Sequence, residues 1–251
     1  DMIDAQLTTE IFGLYAPGRP DVALKMAYLP IRTTARAEAA LASEFYVVMH
    51  ALASVVDPQL SRQQQLAWMS EQARTYLPDD SVSARMYDFV KSRYEAGIPW
   101  EQARDEVYQR YQVEEQDGYD ITSRNMDCNG CFSASINFAA SLVSLFFGEG
   151  DWQETVKIAV LAGWDSDNPA ATWGGLLGFM EGQAGIERIF GRKFSGRYNI
   201  HRTRTGFPVA NGVDNFVDMS AMGLQIIDRA VVEEMSGRIA GDAWVIPAQA
   251  Q

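Results

Sequence analysis

Residues 132–147, "FSASINFAASLVSLFF", constrain this chain more than any other stretch. The run is apolar on nearly every side when wound at 3.6 residues per turn, so it has no face to give to water. It is too short to cross a bilayer, which takes about 20 apolar residues. It must therefore be a central helix wrapped by others.

The remaining sequence supplies the wrapping. Helical periodicity is read over residues 2–15, 21–28, 34–56, 62–76, 81–95, 100–111, 152–162, 169–181 and 218–236. Pro99 stands just before one of these segments, a position suited to helix entry. Two long polar stretches interrupt the pattern: residues 112–131, with "VEEQDGYDITSRNMDCNGC", and a locally basic one, "GRKFSGRYNIHRTRTGFPVANGVDN". Long loops of this kind are often functional. No strand alternation is evident and no heptad persists, so the expected fold is all-α, a compact orthogonal helical bundle formed as a single domain over residues 1–251.

A net charge of −12 argues against non-specific nucleic-acid binding, which needs a basic footprint. No apolar run approaches the length of a membrane span, and no signal peptide opens the chain. The cytoplasm is the default compartment, a processed and exported form the alternative. Cys128 and Cys131 form the only C-x-x-C, without companions for a zinc site, and read as a free thiol pair or a loop disulfide. His50 falls on an apolar helix face and reads as a core residue; Glu44 reads as surface charge and Asp151 as a helix N-cap.

The chemistry concentrates in "AVLAGWDSDNPAATWGGLLGFMEG", residues 159–182. Asn168-Pro169 makes a strong helix start, with Asn as cap and Pro in the first turn. Carboxylates before a helix are stabilised by about 0.3–1 kcal/mol each, but Asp165, Asp167 and Asn168 together exceed what one helix end needs. A calcium hand fails, because Ala170 and Leu176 stand where Gly and Glu are required. An aspartyl-phosphatase motif would want a βαβ context that the helical surroundings do not supply. Two readings remain: helix capping, and an oxygen-rich site for a hard divalent cation, which the surplus of carboxylates favours. The small residues Ala170, Ala171, Gly174, Gly175, Gly178 and Gly182 suggest a helix closely approached by another.

This stretch resembles the C-terminal signature of the ADP-ribosylglycohydrolase superfamily, including the dinitrogenase-reductase-activating glycohydrolases: an apolar helix, G-x-D-x-D, then a small-residue helix. "FSASINFAASLVSLFFGEGDWQETVKIAVLAGWDSDN", "IFGLYAPGRPDVALKMAYL" and "RYNIHRTRTGFP" are similar to further parts of that family. The resemblance implies an all-α orthogonal fold with two Mg²⁺ ions in a central cleft, cleaving a glycosidic bond at the ribose of an ADP-ribosylated protein or a related N-riboside. It places Asp165 and Asp167 as metal ligands, with Asn168 where Thr or Ser is usual. Asp127, Asn129, Asn137 and Tyr198 become candidate substrate contacts, and Arg202 and Arg204 candidate phosphate partners.

The sequence also departs from the family pattern. Its N-terminal G-D-x-x-G segment and acidic D-D-[TS] cluster have no counterpart here, and "IRTTARAEAALASE" stands where S-H-x-x-x-G-x-x-G is common. The expectation is a C-terminal portion of a larger fold, proteolytically processed or heteromeric, completed by an N-terminal fragment or partner chain. The departures leave two alternatives open: a non-catalytic binding or assembly relative, and a hydrolase redirected to another amide or glycoside.

Overall fold

Local signals explain where most helices begin. The computed structural model describes residues 2–121, 128, 130–200 and 212–248. A 3₁₀ turn at Ile3–Leu7 is followed by helices α1 (Ile11–Tyr15), α2 (Pro20–Thr34) and α3 (Ala37–Leu52). Pro20 sits in the first turn of α2, where its lack of an N–H costs nothing. Helix α4 (Arg62–Arg74) opens on a capping box: Ser61 Oγ accepts the Gln64 N–H, and the Gln64 side chain accepts the Ser61 N–H. Ser81 caps α5 (Val82–Glu95), and Pro99 precedes α6 (Trp100–Val107).

The expected helix over 100–111 changes character partway. From Tyr108 to Val113 it widens into a π-helical turn, a local defect often found at functional sites. Beyond it come a 3₁₀ turn at Gln116–Gly118, α7 (Ala134–Phe147), α8 (Trp152–Ala162) and α9 (Asp167–Phe190). Asp151 Oδ1 accepts the Glu154 N–H at 2.7 Å, so its reading as an N-cap holds. The 2–15 expectation needs division, because residues 8–10 separate the 3₁₀ turn from α1. Within α9, Gly182 has φ 69° and ψ 170°, and the helix breaks there.

The chain forms two units, Asp1–Gly182 and Gln183–Gln251. In the first, every residue of α7 from Ala134 to Phe146 is buried, as the all-round apolar pattern requires. Helix α3 lies against it through Phe45, Tyr46 and Met49, with the Phe45 and Phe138 rings 5.1 Å apart edge to face. Trp173 of α9 completes this centre: it is fully buried, meets Tyr46 edge to face at 5.2 Å and donates its indole N–H to Ser141 O at 2.8 Å.

His50 is a core residue, with Nδ1 2.8 Å from Tyr46 O. Burial holds its pKa down at about 4, against 6.5 for the free side chain. Between those values the unfolded chain binds the extra proton and the folded one does not. His50 therefore costs no stability above pH 6.5 and an increasing amount as pH falls towards 4. Glu10 and Glu44, whose carboxyls are raised by burial, act in the opposite sense. A His50→Gln variant should lose close to one proton of uptake on unfolding across pH 4–6.5, measured as a flatter pH dependence of the urea midpoint; an unchanged slope would refute the assignment. Glu44 is not the surface charge expected: it is half-buried and accepts from Arg32 at 2.9 Å.

The second unit contains two antiparallel strand pairs that no alternation announced. Strand β1 (Arg197–Asn199) pairs with β2 (Val213–Asn215), and β3 (Arg238–Ala240) with β4 (Ala243–Val245). Each strand has three residues, too few for a period of two to register in the sequence. Between the pairs runs α10 (Phe216–Glu233), capped by Asn215 Oδ1 accepting the Asp218 N–H at 2.8 Å. The molecule is all-α with these two small additions. Among the described residues no helix is long and apolar enough to cross a membrane.

Candidate metal centre

The loop between α8 and α9 is shaped by backbone conformations that few residues adopt. Gly163 ends α8 with φ 102° and ψ −163°, a region open in practice to glycine alone. Trp164 follows with φ 54°, a left-handed conformation that costs a non-glycine residue roughly 1–2 kcal/mol. Its indole N–H donates to Gln112 Oε1 at 2.6 Å, which offsets part of that cost. Gln112 belongs to the π-helical turn after α6, so that widening places the acceptor holding the loop.

Asp165 is fixed from a different side. Its backbone N–H donates to Asn137 Oδ1 at 3.0 Å. Asn137, one turn into α7 and 1% exposed, turns its Nδ2 to Cys131 O at 2.7 Å and Ser133 O at 2.9 Å. All its amide atoms are thereby used in holding other parts of the chain. Asn137, expected as a substrate contact, is placed as a buried support for Asp165. The carbonyl it draws on belongs to the Cys128–Cys131 disulfide turn, so these cysteines are paired rather than free.

Helix α9 starts at Asp167, earlier than the expected Asn168 cap and Pro169 first position. Ser166 O accepts the Ala170 N–H at 3.4 Å, putting Pro169 deeper in the first turn, where a missing N–H is still harmless. Asn168, 1% exposed, is engaged instead by an interior network. Its Nδ2 donates to Gln6 Oε1 at 3.5 Å, and Thr172 Oγ1 lies 3.3 Å from its Oδ1. Gln6, fully buried, in turn donates to Ala134 O at 2.9 Å, while Thr172 donates to Glu10 Oε1 at 2.8 Å. Burial raises the Glu10 carboxyl above the ordinary range, against the opposing effect of the Thr172 hydrogen bond.

Asp165 is half-buried and Asp167 exposed, and their carboxyls lie within hydrogen-bonding reach of each other. Burial, then the neighbouring Asp167 charge, raises the pKa of Asp165. Neither carboxylate forms an ion pair with a Lys or Arg among the described residues. Two adjoining carboxylates without a counter-charge on a rigidly held loop suit a hard, oxygen-seeking cation. The described residues do not complete a shell: no group of three or more His, Cys, Asp or Glu side chains comes together. The donor set thus fits Mg²⁺ as part of a site.

Asn137, Asp165, Asp167 and Asn168 meet at this point. Tyr198 lies in the second unit, its ring 4.9 Å from Phe216 and its hydroxyl 3.6 Å from Met219 Sδ. Asp127, Asn129, Arg202 and Arg204 fall outside the described residues. Sequence reasoning missed Gln6, Glu10, Gln112, Trp164 and Thr172. A signal existed for one of them: Asn168 and Thr172 are polar at i and i+4 in an otherwise small and apolar helix. The small-residue stripe does not act as expected. Gly174 O accepts the Trp152 indole N–H at 3.0 Å, whereas a side chain on Gly175 or Gly178 would meet nothing within 4 Å.

The family model described as ADP-ribosylglycohydrolase matches residues 4–204. Neither the curated proteins nor the solved structures compared with the chain provide a match.

Proposed function

The chain belongs to the ADP-ribosylglycohydrolase family, a family of glycohydrolases, and from that premise we propose that it is the Mg²⁺-holding part of a hydrolase cleaving the glycosidic bond at ribose in an ADP-ribosylated protein or related N-riboside. The observation that carries the reading is the uncompensated Asp165–Asp167 pair on its held loop.

Asp165 and Asp167 would hold the metal, with Asn168 beside them. When bound, Mg²⁺ supplies positive charge that orients ribose hydroxyls and acidifies water. The protein's own contribution is positional. Asn137 fixes the Asp165 backbone, Trp164 and Gln112 fix the turn, and the Gln6–Asn168–Thr172–Glu10 network fixes the first turn of α9. The reading requires further oxygen ligands and a general base from beyond these residues, supplied by an N-terminal part or partner chain.

One observation favours the second reading, a non-catalytic relative. Asn168 occupies the third ligand position, and its amide is already engaged by Gln6 and Thr172. Titration calorimetry with Mg²⁺ separates the readings when done on the chain together with whatever chain co-purifies. Asp165→Ala and Asp167→Ala should each weaken Mg²⁺ binding at least tenfold and abolish release of ADP-ribose from modified protein. Unchanged heats in both variants would end the metal assignment; binding retained without turnover would favour the non-catalytic relative.

A further inference from the structure

The Cys128–Cys131 disulfide is tied to the metal-centre loop through one side chain. Asn137 Nδ2 donates to Cys131 O at 2.7 Å, and Asn137 Oδ1 accepts the Asp165 N–H at 3.0 Å. A single carboxamide thus joins the cysteine turn to the first member of the Asp165–Asp167 pair. The other acceptor of Nδ2 is Ser133 O at 2.9 Å. A planar amide is oriented by the groups it bonds, so the place of the Cys131 carbonyl helps to set where Oδ1 points.

The cross-link is the main restraint on the N-terminal side of that carbonyl. There the backbone offers the Cys131 N–H to Cys128 O at 3.3 Å, longer than the preferred 2.9–3.0 Å or so. Beyond it the chain is better fastened: the Ser133 N–H donates to Gly130 O at 2.9 Å, and the Ile3 N–H to Phe132 O at 3.2 Å. Opening the bond therefore loosens the turn without releasing α7.

Two features make the bond reducible. Cys128 is exposed and Cys131 partly so, which gives an attacking thiolate access. The cysteines are only three positions apart, and a cross-link that closes so short a loop constrains the unfolded chain least.

We propose that Cys128–Cys131 is a thiol–disulfide switch, opened by dithiol reductants, that governs how firmly the Asp165 loop is held. A thiolate of the dithiol attacks the sulfur of exposed Cys128, and Cys131 leaves as a thiolate and takes up a proton. The second thiolate of the dithiol then attacks its own mixed-disulfide sulfur and displaces Cys128, which is protonated in turn. Two electrons and two protons reach the chain as two thiols, and the dithiol becomes a disulfide. The Cys131 carbonyl is then free to shift, and the Asp165 N–H loses its fixed acceptor. The switch acts on the proposed Mg²⁺ site but is read at a backbone amide, so its failure and that of the metal assignment are distinguishable.

Amide hydrogen exchange followed by NMR on the full chain, without metal, tests it. Dithiothreitol without denaturant should open the bond, shown by alkylation of both cysteines with iodoacetamide in a parallel sample. Asp165 should then exchange about tenfold faster, as for the loss of one hydrogen bond, while the buried α7 residues Phe138 and Leu142 stay protected. Reoxidation should restore the slow rate. A Cys128→Ser, Cys131→Ser double variant should show the fast rate with or without reductant. A bond that resists dithiothreitol in the folded chain, or an Asp165 rate unchanged by its opening, would overturn the switch. So would a rise shared equally by Phe138 and Leu142, which would mark a purely structural cross-link.

Discussion

Trp173→Ala is expected to lower the thermal midpoint by roughly 10–20 °C. Trp173 is fully buried at the junction of α3, α7 and α9, packed on Tyr46 and bonded to Ser141 O. Truncating a buried aromatic residue to Ala costs about 3–5 kcal/mol through lost contacts and the cavity left behind. The indole hydrogen bond is lost as well, although Ser141 O keeps the Ser144 hydroxyl as a donor at 2.7 Å. For a domain of this size each kcal/mol moves the midpoint by about 2–4 °C. With total stabilities of about 5–15 kcal/mol, the variant retains little margin at 37 °C. Trp173→Phe should recover much of the loss, since the ring remains and only the indole N–H is gone. A fall of under about 5 °C in the alanine variant, followed by calorimetry, would show that Trp173 is not the anchor described.

The second large effect is expected from a single methyl group. A Cβ on Gly13 would lie 2.3 Å from Val47 O, 2.6 Å from His50 Cβ and 2.8 Å from Ala51 N, so it meets the backbone of α3 rather than a side chain that can turn aside. Helix α1 would have to move away from α3, at a cost of about 3 kcal/mol or more. Gly175→Ala is the contrasting change: its Cβ meets nothing, and the gain in helix propensity is worth about 1 kcal/mol. Urea denaturation should therefore show Gly13→Ala strongly destabilised and Gly175→Ala neutral or stabilised. Equal midpoints for the two would contradict the packing of α1 on α3. Because Gln6 and Glu10 lie just ahead of Gly13, displacement of α1 should also disturb their hydrogen bonds with Asn168 and Thr172.

The helices were legible because each carried a periodic apolar face or a strong starting residue. Residues 132–147 could be nothing but central, and Asp151 announced the start it makes. The start of α9 was misplaced because Pro169 suits any early position of a helix, so it cannot say which one it holds. The site was legible only along the chain. Asp165 and Asp167 are adjacent in sequence, and a local pattern suffices to notice them. Gln6 and Glu10 each reach α9 across 162 positions, and Gln112 reaches Trp164 across 52. No periodicity encodes such pairs. Asn137 shows the same limit: its residue type announced a polar role, but only the fold shows that role to be support of Asp165.

The contacts of Thr172 bear on Asn168 in a way that distances alone do not convey. A threonine hydroxyl owns one proton, and here two acceptor oxygens stand within its reach, Glu10 Oε1 at 2.8 Å and Asn168 Oδ1 at 3.3 Å. The hydroxyl can serve Glu10 or Asn168 at one moment but not both, so the two acceptors share a single donor, and whatever draws the proton to Glu10 withdraws it from Asn168.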